Sequence, residues 1–278
     1  MHRRLSAALS PLLPTAEQTL LLRACLHERE GTAAWTALGR RLGPDGLGPL
    51  LTGNRRLLPL LHRAATVDPG GFGLDADLQR RLAAVALREK LRSTAFRRGA
   101  HEVVGLLAQG GHDVLVLRGA ALAELAYPDP YLRHCHDLDL LTRGAGVTDA
   151  GLAGRAMLHP SAFSHPRAQA DDRPLWDRSL ALALGGHPAR VMSPADLLVH
   201  VCGHAYLSGS RASLAWATDA WFTLAAWPDL DWDLVLATAD ERHLGLGLGL
   251  LLGYAGEQLG APVPAVVLDA LRRSRVEP

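Results

Sequence analysis

The chain has 278 residues, 48% of them hydrophobic and 21% charged, a composition of an ordinary globular protein that argues against general disorder. Its 29 basic and 28 acidic residues leave a formal net charge of +1, so there is no overall basic field of the kind that drives non-specific nucleic-acid binding through counterion release. Three scattered cysteines, Cys25, Cys135 and Cys202, include no Cys-x-x-Cys pair; they argue against a disulfide framework and for a reducing cytoplasm.

Every basic residue except Lys90 is an arginine, and Ala, Leu and Gly are abundant, which fits a GC-rich bacterial genome. The N-terminus, Met1-His2-Arg3-Arg4, runs into Pro11 and Pro14 without a sustained apolar stretch or a small-residue cleavage site, and reads as mature protein. The most apolar late stretch, Leu244 to Leu252, is broken by glycines and is short of the roughly 20 residues that cross a bilayer; a buried helix is the expectation there, and no membrane partner.

From Thr15 to Gln109 apolar residues recur at helical spacing, with breaks expected at Gly43-Pro44, Gly53-Asn54 and Pro69-Gly70-Gly71. Asp75 is a plausible N-cap for a long helix that Gly110-Gly111 closes. The run from His112 to Gly119 is β-branched and apolar and predicts a buried strand. Ala120 to Ala126 predicts a helix, which Tyr127-Pro128-Asp129-Pro130 must end. Asp137 to Thr142 begins with polar-apolar alternation, as a half-buried strand does.

Gly144 to Asp172 can be placed only loosely. Leu180 to Leu184 and Ala189 to Met192 predict short strands joined around Gly185-Gly186. Ser193-Pro194-Ala195-Asp196 has the cap, first-position proline and early acid of a helix start, and the pattern stays helical to the end, with breaks at Gly209, Pro228 and around Gly260 to Pro264.

The chemistry-bearing segment is the strand, the glycine corner and the acid pair. Residues two apart on a strand face the same way, about 7 Å apart, so Asp137 and Asp139 should project together. Such a pair can share magnesium, which favours carboxylate and phosphate oxygens, and two such ions about 4 Å apart stabilise both oxygens of an in-line phosphoryl displacement. Gly119, at a strand-to-helix corner, leaves backbone N–H groups and the positive end of a helix dipole for a phosphate, with Arg118 or Arg133 to offset charge.

Leu117-Arg118-Gly119, Tyr127-Pro128-Asp129-Pro130, Leu132-Arg133 and Asp137-Leu138-Asp139-Leu140-Leu141 together resemble an uncharacterised nucleotidyltransferase family of the polymerase-β-like superfamily, often encoded in bacterial natural-product gene clusters. The resemblance extends to Val191 to Leu198, His204-Ala205 and Trp216-Ala217-Thr218-Asp219. It implies an α+β fold with a small mixed-sheet nucleotidyltransferase core flanked by helices, which fits the order read along the chain: a helical region over 1–109, an α/β core over 110–192 and a helical region over 193–278. It further implies Mg²⁺ held by Asp137 and Asp139, and nucleotidyl transfer from a nucleoside triphosphate to a small-molecule or peptide acceptor, with a partner biosynthetic enzyme as a further expectation. Arg118, Gly119, Ala120 and Arg133 are the candidate phosphate-binding positions.

Three positions depart from the family pattern. Ala120 stands where a serine is usual, and His136 where a glycine is common. Met157-Leu158-His159 has methionine where a third carboxylate is expected, with Asp171, Asp172 and Asp177 as unplaced substitutes. The alternatives are therefore a silent or repurposed fold that binds a ligand, precursor peptide or partner enzyme, or a different reaction with His136 or His159 as acid or base. A zinc site from His134, Cys135, His136, His159 and His165 lacks a compact arrangement, His200 and His204 read as a structural pair, and Trp216, Trp221, Trp227 and Trp232 read as helix packing.

Overall fold

The computed structural model describes residues 12–27, 30–143, 152, 154–163, 165–208 and 214–274. The reading of residues 1–11, the break at Gly209 and part of the loosely placed stretch after Gly144 lie outside them.

The chain begins with helices. In α1 (Ala16–Leu26) Thr15 and Gln18 form a reciprocal capping box that satisfies two backbone donors at the helix start. Next, α2 (Gly31–Gly53) bends at Gly43, whose φ of 64° no helix interior adopts. A 3₁₀ turn (Arg55–Leu57) leads into α3 (Leu58–Val67). Pro69-Gly70-Gly71, expected only to break, forms one short turn, α4 (Pro69–Phe72), because Asp68 caps the Gly71 N–H at 3.0 Å. The long α5 (Ala76–Gln109) starts on the Asp75 cap as the sequence predicts.

The sheet follows. Its strands are β1 (Asp113–Val116), β2 (Asp139–Arg143), β3 (Met157–Leu158), β4 (Leu180–Leu184) and β5 (His187–Val191), in the order β3-β2-β1-β5-β4. β1 lies in the middle, antiparallel to β2 and parallel to β5, which is why Val114, Leu115 and Val116 are all buried. β4 and β5 form a hairpin whose two-residue turn is Gly185-Gly186, both at positive φ as a type I′ turn requires. Between β1 and β2 lie α6 (Arg118–Leu125) and a 3₁₀ turn (Pro130–Leu132); α7 (Arg173–Asp177) precedes β4.

The strand expected from Asp137 starts two residues later. The carbonyls of His134 and Cys135 accept from the side chains of Arg133 and Arg92 instead of from a neighbouring strand, so residues 133–138 approach the sheet as irregular backbone.

Among the described residues five helices close the structure: α8 (Pro194–Ser208), α9 (Ala215–Ala226), α10 (Trp232–Glu241), α11 (Gly245–Leu259) and α12 (Ala265–Arg273). Ser193 caps α8, its Oγ accepting from the Asp196 N–H at 3.2 Å. An unforeseen break separates α10 from α11, where His243 sits at φ 55°. One continuous cluster of buried apolar side chains runs from Leu21 to Leu271 and joins the sheet to helices on both sides of it in sequence. The fold is of the α+β class, helix-rich around a mixed five-stranded sheet. Among the described residues no helix is long and apolar enough to cross a membrane, and the three cysteines are free and buried.

Candidate active site

The Leu117 N–H donates to the Asp139 carbonyl at 3.0 Å, which fixes the first residue of β2 beside the corner between β1 and α6. At that corner Arg118 adopts φ 51°, a left-handed conformation that costs a non-glycine residue about 1 kcal/mol or more. From this position its guanidinium reaches across the corner. Nη2 lies 3.1 Å from Asp139 Oδ1 and 3.0 Å from His159 Nε2, and Nη1 lies 3.2 Å from the ring nitrogens of His204.

His159 Nε2 is also 2.6 Å from Asp139 Oδ1. β3 pairs parallel with β2, Asp139 opposite Met157, so residues 157 and 159 fall on the face that carries Asp139. Met157 is half exposed at the neighbouring-strand position where a third acid would stand. Burial disfavours the Asp139 charge, but the His159 hydrogen bond and the charge of Arg118 outweigh it and hold its carboxyl below the usual carboxylate range. His204 is shifted down by burial and by Arg118; His200, fully buried with Nε2 2.9 Å from the Ala162 carbonyl, is lowered to about 3 by burial first and then by Arg118 and His204.

A second ion pair stands behind the first. Arg133 grips Asp219 of α9 with Nε and Nη2 at 2.7 and 2.9 Å, and Asp219 Oδ1 also accepts from the Tyr127 hydroxyl at 2.7 Å. Burial works against the Arg133 charge, but Asp219 more than offsets it and raises its pKa. This pair explains Gly119: a Cβ there would stand 3.1 Å from the Arg133 guanidinium carbon. The glycine makes room for Arg133, whereas the sequence suggested room for a phosphate.

Asp137, Asp139, Arg118, Gly119 and Arg133 all open on one cavity of about 270 Å³, with His136 at its rim. His136 Nε2 lies 3.6 Å from Asp137 Oδ2, and both side chains are largely exposed. Ala120 is not among the lining residues, and its side chain is buried.

Four further lining residues lacked a functional reading in the sequence: Arg56, His204, Trp216 and Asp219. Asp219 carried the clearest signal, an acid within an apolar helix that must find a partner when buried. Trp216 packs edge-to-face on Tyr254, as the packing reading expects, yet also faces the cavity.

The substitute acids lie elsewhere. Asp172 accepts from the Ala162 N–H and pairs with Arg242, Asp171 pairs with Arg173, and neither these nor Asp177 lines the cavity. His134 is held by Glu89 at 3.0 Å and Cys135 is buried, its thiol pushed up to about 12. Cys202 is likewise buried and pushed up to about 12, so neither thiol is a nucleophile at neutral pH.

Among the described residues no group of three or more His, Cys, Asp and Glu side chains is placed to hold a metal. Asp137 and Asp139 are the carboxylates that share the cavity wall with the start of α6, Asp137 largely exposed and Asp139 already paired with Arg118 and His159.

No curated protein and no solved structure matches the chain. A family does: the one described as uncharacterised nucleotidyltransferase matches residues 51–151 and 155–260, which take in the corner, both acids, His159, His204 and Asp219. The chain belongs to this nucleotidyltransferase family.

Proposed function

We propose that the chain binds a nucleoside triphosphate with Mg²⁺ in the cavity beside β2 and transfers the nucleotidyl group to a small-molecule or peptide acceptor, releasing pyrophosphate. The observation that carries this reading is that Asp137 and Asp139 open on the same cavity as the start of α6. The first N–H groups of α6 have no side-chain cap, and a helix start of this kind favours an anion. Asp137 and Asp139 would hold the metal, which when bound offsets phosphate charge.

Arg118 and Arg56 bring positive charge to the same cavity. With methionine at 157, His159, whose Nε2 lies 2.6 Å from Asp139 Oδ1, would take the proton from the acceptor nucleophile. Biosynthesis of a bacterial natural product, in the cytoplasm and with a partner enzyme, is the setting we propose for this activity.

A second reading, a silent member that binds a ligand or a precursor peptide in the same cavity, rests on Met157 and on Arg118 already pairing with Asp139. Calorimetry with a non-hydrolysable triphosphate separates the two. Nucleotidyl transfer requires binding that needs Mg²⁺ and is lost in Asp137→Asn; wild-type protein that takes up no triphosphate supports the silent reading.

A further inference from the structure

We propose that the cavity beside Arg55 and Arg56 is a diphosphate-binding subsite, which takes the β- and γ-phosphates of the triphosphate and holds pyrophosphate. The inference rests on the nucleotidyl-transfer reading and adds residues from the helical segment that precedes the sheet.

Space comes first. The central cavity, about 270 Å³, is at or below the roughly 300–1,000 Å³ of small-molecule sites, so a triphosphate and an acceptor must extend beyond it. Two cavities adjoin it. One, of about 430 Å³, shares Arg56, Arg133 and Ala215 with it; the other, of about 440 Å³, shares Arg118, His204 and Ser208. The two neighbours have no lining residue in common, so they flank the centre on different sides.

Their chemistry differs. The 440 Å³ cavity is walled by Met157, Phe163 and Leu207 with histidines, and its one arginine is Arg118, tied to Asp139. The 430 Å³ cavity is lined by Arg55, Arg56 and Arg133, and no carboxylate is among the described residues that line it. Arg133 is committed to Asp219, whereas the Arg55 and Arg56 side chains have no ion pair or hydrogen bond among the described residues.

The backbone under these two arginines is fixed. Asn54 donates from Nδ2 to the Leu50 carbonyl at 2.8 Å, and Leu57 at the end of the 3₁₀ turn is buried. Two free guanidinium forks on an anchored turn suit the oxygens of a diphosphate. An in-line displacement sends the leaving group away from the acceptor, and of the two flanking cavities the one with Arg55 and Arg56 carries arginines uncommitted among the described residues.

Calorimetry with inorganic pyrophosphate and with a non-hydrolysable triphosphate plus Mg²⁺ tests this on the full chain, comparing wild type with Arg55→Gln/Arg56→Gln. The expected result is competition between the two ligands, and pyrophosphate binding weakened about ten-fold or more in the double variant, since charge-assisted contacts are lost. Lysine at both positions should restore part of the affinity, and the melting temperature should not move because both side chains are exposed.

Pyrophosphate affinity unchanged in the double variant, or both ligands bound at once, overturns the subsite while leaving triphosphate binding and the nucleotidyl reading intact. Wild type that binds pyrophosphate through these arginines but no triphosphate overturns the nucleotidyl reading and keeps the anion site. Failure to bind either ligand overturns both.

Discussion

Arg118 Nη2 lies 3.1 Å from Asp139 Oδ1, an ion pair formed by a left-handed arginine and the first residue of β2. The same carboxylate is needed for a metal, so the pair couples stability to the site. Breaking one side of a buried pair costs about 3–5 kcal/mol, because the other charge stays behind. Arg118→Ala should therefore lower stability in denaturant titrations by an amount near the bottom of that range, since Arg118 is partly exposed. Added Mg²⁺ should raise the melting temperature of this variant more than that of wild type, because Asp139 then lacks its cation.

The pair between Arg133 and Asp219 is more deeply buried. Asp219→Ala is expected to destabilise by about 3–5 kcal/mol, leaving Arg133 uncompensated, whereas Tyr127→Phe should cost about 1.5–3 kcal/mol, because its hydroxyl, 2.8 Å from Thr218 Oγ1, bonds a charged carboxylate. A double-mutant cycle between Arg133 and Asp219, read by urea unfolding, should give a coupling well above the roughly 0.5 kcal/mol scatter of independent sites.

Gly119→Ala sets a methyl group 3.1 Å from the Arg133 guanidinium carbon. The guanidinium must give way by a few tenths of an ångström and loosen its grip on Asp219. An overpacking cost of about 1–3 kcal/mol is expected in thermal unfolding, and pairing the substitution with Arg133→Ala should remove most of it.

These relationships mark what could be read from residues alone. The strand before Gly119, the helix stop at Tyr127 to Pro130, the Gly185-Gly186 hairpin and the Ser193 cap are local rules, each settled by residues within a few positions of one another, and all are present in the fold. The strand alternation that set Asp137 beside Asp139 does not hold, because the strand begins at Asp139 and Asp137 lies on irregular backbone before it.

Arg118 at positive φ was not legible, because propensity disfavours it and its partners Asp139, His159 and His204 lie 21 to 86 positions away. Asp219 reaches Arg133 across 86 positions, and β3 is two residues long, so neither has a local signature. The reason for Gly119 and the burial of Ala120 likewise depend on how α6 meets the rest of the core.

His200 makes stability pH-dependent. Its pKa is about 3 in the folded chain against about 6.5 when unfolded, so the unfolded chain binds the extra proton between those values. The stability associated with its neutral form is complete above about pH 6.5 and falls as pH drops toward 3, by about 1.4 kcal/mol per pH unit in that window. Unfolding free energies of wild type and His200→Gln, measured from pH 7 to pH 4, should differ in slope by about that amount.

The acid pair at the mouth of the cavity is the centre of the functional account, and manganese, a paramagnetic stand-in for magnesium, reports on it directly. Electron paramagnetic resonance should show Mn²⁺ taken up by the wild-type protein only together with a nucleoside triphosphate, and neither Asp137→Asn nor Asp139→Asn should form that ternary complex. A ternary complex that survives both substitutions, or wild type that forms none at all, would contradict it.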